Sequence, residues 1–172
     1  VSPIGARQIR PATPDDAAVI FDFIRALAEY EREPDAVVTR PEVLREQLGQ
    51  ARPPFECLLC EVEGRPVGFA LFFPTYSTWL GKPGIHLEDL FVLPEERGHG
   101  HGKALLQAVA RLAVQRGCGR LEWAVLDWNT PAIRFYESLG ASALGEWTTF
   151  RVAGAALAAL GEGAPRPVES SG

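Results

Sequence analysis

Residues 87–106 read LEDLFVLPEERGHGHGKALL, and the fold turns on how they are parsed. The apolar run 90–93 is strand-like and Pro94 closes it. Leu105, Leu106, Val109, Ala110 and Ala113 then recur at helical spacing. The segment is a strand, a glycine-rich turn and the start of a helix. Gly98, Gly100 and Gly102 therefore sit at a helix N-terminus, where unpaired N–H groups and the positive end of the helix dipole attract an anion. Arg97 and Lys103 flank that position with fixed charge. A Walker A loop would need glycine where Arg97 stands and serine or threonine at Ala104, and a dinucleotide fingerprint would need its third glycine one residue after Gly102. Alone, the pattern also suits a ligand-free turn.

The rest of the chain supplies the setting. A short first strand is expected at residues 7–10, closed by Pro11. Thr13-Pro14-Asp15-Asp16 is a helix start, with a hydroxyl N-cap, proline in the first turn and two acids after it. Ala17, Ile20, Ile24, Leu27 and Ala28 form the buried face of that helix. A second helix is predicted at 39–48, strands at 55–62 and 66–73 joined by a turn at Glu63-Gly64-Arg65, and a loop over 74–84 before the central strand at 85–93. Gly117 and Gly119 stop the following helix. Further strands are predicted at 121–126, 141–144 and 147–152, with a short helix between Asn129 and Gly140 and helical turns over 153–161. The order predicts an α/β fold in one domain, residues 5–161, with a mixed central sheet and helices on both faces. Residues 162–172 read as a disordered tail.

Composition narrows the function. The 172 residues are 47% hydrophobic and 23% charged, as in ordinary globular domains. A net charge of −5 argues against nucleic-acid binding and permits a cationic substrate. No apolar run reaches membrane-spanning length and no secretory pattern opens the chain, so the expected location is cytoplasmic, with no membrane partner. Cys57 and Cys60 lie three apart in a strand, on opposite faces, and read as structural cysteines rather than a redox or metal pair. His86, His99 and His101 lack an accompanying Cys/Asp cluster, so no metal site is expected.

A second block, residues 129–140, reads NTPAIRFYESLG. Asn129 and Tyr136 are seven residues apart, two helical turns, and so share a face. The loop Arg-x-x-Gly-x-Gly after a strand resembles the pyrophosphate loop of the GCN5-related (GNAT) N-acetyltransferases, and this block resembles their second conserved segment. Tyr30-Glu31, TYSTWLGK at 75–82, LEDLFV at 87–92 and Asp127-Trp128-Asn129 narrow the resemblance to the diamine, or spermidine/spermine, N-acetyltransferases. The resemblance implies acetyl-CoA as cofactor, a small-molecule amine as substrate and a homodimer. By it, the backbone of Leu90, Phe91 and Val92 meets the acetyl and pantetheine arm. Arg97, Gly98, His99, Gly100, His101, Gly102 and Lys103 hold the pyrophosphate, and Asn129, Thr130, Pro131 and Ala132 complete the coenzyme site. Tyr136 becomes the acid that protonates the departing thiolate. The amine pocket falls on Tyr30, Glu31, Glu88, Glu122, Trp123, Ala124 and Glu146, the last across a one-residue gap in the match.

The chemistry makes its own demand. An alkylammonium with a pKa of about 10.4 must lose a proton before its nitrogen can attack a thioester. Glu88 is the expected base, because plain alternation puts it on the face of the central strand that carries Val92, four residues on. A backbone N–H near Val92 is the expected partner for developing negative charge. Transfer is expected to be direct, without an acetylated cysteine. Two rivals stand beside a diamine or polyamine substrate: a lysine-like amino acid such as thialysine, whose carboxylate would need Arg32 or Arg134, and a silent coenzyme A binding module.

Overall fold

The computed structural model describes residues 6–163. Five strands, β1 (Arg7–Pro11), β2 (Glu56–Val62), β3 (Arg65–Ser77), β4 (Lys82–Val92) and β5 (Leu121–Glu122), lie side by side in chain order. β1 to β4 are antiparallel, and β5 joins β4 in parallel after a helical crossover, so the sheet is mixed. Against it stand α1 (Ala17–Tyr30), α2 (Pro41–Leu48) and α3 (His101–Gln115). Residue contacts divide the chain after Trp128. The second unit holds α4 (Thr130–Ser138) and α5 (Gly154–Glu162). No helix among the described residues is long and apolar enough to cross a membrane.

Alternation along the strands sorts the core into two layers. Cys57, Leu59, Phe69, Leu71 and Phe91 face α1 and α2, where they bury Ala17, Ile20, Phe23 and Leu44. Phe23 stacks on Phe69 with ring centroids 5.5 Å apart. The opposite face carries Leu58, Cys60, Ala70 and Phe72 and is covered by α3 through Leu105 and Val109, both fully buried. The two cysteines thus enter different layers, and burial pushes the Cys57 thiol far above its ordinary value.

The entry to α1 is fastened electrostatically. Thr13 N–H donates to Asp16 Oδ2 at 2.7 Å across a single 3-10 turn, Pro14–Asp16. Arg10 from β1 bridges Asp16 at 2.8 Å and Glu61 of β2 at 2.7 Å. Hydrogen bonding to Arg10 holds the Asp16 carboxyl down at about 2, so this clamp is intact at neutral pH and weakens as pH falls from about 4 toward 2.

Four expectations are corrected. Residues 74–84 are not a loop: β3 runs to Ser77 and β4 starts at Lys82, a long hairpin closed by a tight turn with Gly81 at φ 61°. Pro74 is tolerated because it lies where the hairpin extends beyond the end of β2. Residues 121–126 give only a two-residue strand, since β4 offers β5 just the Ile85–Leu121 and His86–Glu122 pairs. Residues 141–152 contain no strand, so their apolar alternation finds no ladder there. The tail reading is corrected at its first residue, because Glu162 closes α5. Residues 164–172 lie outside the described residues.

Candidate active site

The register of β4 against β3 decides where the acids point. Phe72 pairs with Leu87 and Leu71 with Asp89, leaving Glu88 as an inserted residue. Such a bulge turns two consecutive side chains toward one face. Asp89 joins Leu71 and Phe91 on the α1 side, and Glu88 lies on that side too, its Oε2 3.3 Å from His86 Nε2. Val92 pairs with Gly68 and belongs to the α3 side. The expectation that Glu88 and Val92 share a face is therefore wrong, because it assumed unbroken alternation. Glu88 is exposed while Asp89 is half-buried. Burial, then the charges of Glu88 and Glu31, push the Asp89 carboxyl up to about 7. Burial also raises Glu31, which follows the last turn of α1. Three carboxylates thus converge, with a proton held on the inner one near neutrality. Asp89 was not among the expected site residues. Its signal was the acid doublet Glu88-Asp89 inside an otherwise apolar strand.

Beside the acids runs a ladder of rings and guanidinium groups. The Arg97 guanidinium lies 4.9 Å from the Tyr30 ring centroid and 5.5 Å from that of Phe91. Tyr30 meets Trp128 at 6.0 Å, and Arg32 covers the other part of the ladder 4.4 Å from the Trp128 ring. Arg97 Nε donates to the Val92 carbonyl at 3.0 Å. Its guanidinium is thus held against β4 and Tyr30 at the residue that precedes the loop.

The glycine loop has the expected backbone. Gly98 and Gly100 adopt φ 81° and 78°, the left-handed region open to glycine. The first hydrogen bond of α3 is Ala104 N–H to the Gly100 carbonyl. Among the described residues, the amides of residues 98–103 donate to no backbone carbonyl, a row of donors at a helix start that suits a diphosphate. A Cβ on Gly102 would meet Val92 Cγ2 at 3.8 Å, an ordinary contact, so packing does not require glycine there. Arg7, absent from the expected set, reaches this loop from β1: its Nη1 donates to the His99 carbonyl at 3.5 Å. Only tertiary folding brings it there.

Other expected residues have local duties. Asn129 is buried and its Oδ1 accepts from Ala132 N–H at 3.4 Å, capping α4. Tyr136 lies on α4 beside Phe135, ring centroids 5.3 Å apart. Glu122 pairs with Arg120 Nε at 3.0 Å, so its carboxylate is answered locally and is not gathered with Glu31 and Asp89. Trp123 and Ala124 follow the end of β5. Glu146 occupies an exposed turn of the second unit.

A mixed sheet whose fourth strand leads into a donor-rich loop, with acids at a bulge just before it, suits an acyltransferase of the coenzyme A type. The acetyltransferase (GNAT) family model matches residues 21–141, and the chain belongs to that family. Thialysine N-epsilon-acetyltransferase of Sus scrofa is 41% identical over 163 residues, covering 88% of this chain and 95% of the relative. L-ornithine N5-acetyltransferase of Arabidopsis thaliana is 34% identical, covering 92% and 91%. A spermidine/spermine N(1)-acetyltransferase-like protein of Homo sapiens is also 34% identical, over 84% of this chain but 22% of that longer protein. In fold, an aminoglycoside N-acetyltransferase in complex with CoA superposes with a TM-score of 0.69 at 20% identity, covering 88% of this chain and 98% of that one. The protein is an N-acetyltransferase that acts on amines and uses acetyl-CoA.

Proposed function

We propose that the acetyl acceptor is the terminal amine of a small ω-amino amino acid of the lysine or ornithine type. The observation that carries this reading is the pairing of a carboxylate cluster, Glu31, Glu88 and Asp89, with a fixed cation nearby, Arg32 stacked on Trp128. The acids draw in an alkylammonium, and Arg32 offers its planar fork to the substrate carboxylate. The thialysine and ornithine relatives support the same choice. A diamine or polyamine is the second reading: it is favoured by the acids alone and by the spermidine/spermine-like relative.

Bound acetyl-CoA supplies an activated thioester. Asp89, held near pH 7, takes the proton that the ammonium must lose, because a base works best when its pKa lies near the working pH. Glu88, exposed beside His86, acts as an outer carboxylate that concentrates cations. The loop amides of residues 98–103 seat the diphosphate and so fix the thioester's aim. Tyr136 keeps the role the family block implies for it, protonating the thiolate. A thiol of pKa about 8.5 already leaves readily, so that role assists rather than enables. The family resemblance further supports a homodimer. The composition supports a cytoplasmic setting and no nucleic-acid partner.

A thiol-release assay with acetyl-CoA against thialysine, lysine, ornithine, putrescine and spermidine tests the substrate. The expected result is higher kcat/KM on the amino acids, with Arg32→Ala raising KM for these and leaving the diamines unchanged. Preference for putrescine or spermidine, unaffected by Arg32→Ala, would transfer the conclusion to the second reading. Turnover of none of them would place the acceptor outside both classes.

A further inference from the structure

We propose that Glu96, His99 and His101 form a binding site for a borderline divalent cation such as zinc. One ligand atom from each of the three lies within 4.8 Å of the others. The donor set of two imidazoles and a carboxylate is one that zinc accepts, and three protein ligands leave the fourth tetrahedral position for water. The sequence set the histidines aside for want of an accompanying acid. Folding supplies it from Glu96, in the 3-10 turn Pro94–Glu96 before the loop.

Four details make this a built site. The His101 side chain is 1% exposed, so packing fixes its ring. His101 Nε2 stands 3.7 Å from Glu96 Oε2, too far for a hydrogen bond. Two ligands of a tetrahedral zinc at about 2.0–2.1 Å are roughly 3.4 Å apart, so a shift of a few tenths of an ångström would bring these atoms onto one ion. His99 Nδ1 lies 3.1 Å from the Glu96 carbonyl oxygen. Donation there puts the proton on Nδ1 and leaves the Nε2 lone pair for a metal, the usual way a backbone carbonyl orients a ligating histidine. Arg65 pairs with Oε1 of Glu96 and so steadies the carboxylate while leaving Oε2 toward His101. Bound there, the ion would tie the 3-10 turn to both sides of Gly100. The site shares the loop whose amides are proposed to seat the diphosphate, and it does not depend on which amine is acetylated.

The test is calorimetric titration of zinc chloride into the tag-free, chelator-treated full chain in a non-coordinating buffer, followed by cobalt substitution. One equivalent should bind with micromolar or tighter affinity, and cobalt should give the intense visible absorption of a four-coordinate site. His99 is exposed, so His99→Ala should fold, as circular dichroism can verify, and should weaken zinc more than about tenfold. Glu96→Gln should weaken it similarly. Absence of zinc binding in the wild type, or equal affinity in a folded His99→Ala variant, overturns the proposal.

Discussion

The carboxylate cluster and the glycine loop lie a few residues apart along one stretch of chain, yet they are made of different material. The loop is main chain: amides at the start of α3, held open by two left-handed glycines. The cluster is side chain: three acids from the end of α1 and from a bulge in β4, one of them protonated near neutrality by its surroundings. A backbone site tolerates changes of side chain but not of backbone conformation. A side-chain site behaves in the opposite way. Substitutions can separate the two.

The largest effect is expected at Asp89. Asp89→Asn should lower kcat by roughly 10²- to 10⁴-fold, the usual worth of a general base, whereas Glu88→Gln should cost far less. The same change should raise stability. Asp89 titrates at about 7 in the fold against an ordinary 3.8, so the native state loses stability as pH climbs from about 4 to 7 and stays penalised above that. Asparagine removes this penalty, and at pH 8 the melting temperature should rise as activity collapses. A variant with wild-type turnover would return the base role to Glu88.

Next in size is Gly100→Val. At φ 78° a side chain costs about 1–2 kcal/mol, and a β-branched one strains further. Coenzyme affinity should fall about tenfold or more by calorimetry, and an unchanged affinity would remove Gly100 from the cradle. Gly102→Ala sharpens the point, since its Cβ would find only ordinary contact with Val92. Thermal stability should hold, and any loss of affinity then reports how closely the diphosphate approaches. Smaller again is Tyr136→Phe, expected to slow turnover about tenfold with coenzyme affinity intact; a wild-type rate would end its acid role. Least is Arg7→Ala. An exposed guanidinium beside the loop is worth under about 1 kcal/mol, so affinity should drop a few-fold at low salt and converge with wild type at high salt.

Legibility followed the range of the forces involved. The helix start at Thr13 to Asp16, the stop at Gly117, and the strand, loop and helix of residues 87–106 were readable because each is a local backbone requirement met by neighbouring residues. The strands expected over 141–152 failed for the opposite reason: alternation describes a surface, and a strand exists only where another strand offers its ladder. The length of the β3–β4 hairpin was hidden by Pro74, which reads as a breaker until the edge position that tolerates it is known.

By itself, the sequence determined the strand, glycine loop and helix of residues 87–106 and the order of elements as far as α4, because glycine spacing and helix starts act over a few residues. The tertiary structure decided which acid is buried. A single inserted residue opposite Leu71 and Phe72 turns Glu88 to the face that Asp89 already shares with Phe91, and no rule of alternation carries the position of that insertion. Charges on β4 and just after α1 influence one another only after the sheet and helices have packed, since a carboxyl's proton affinity depends on what surrounds it in space.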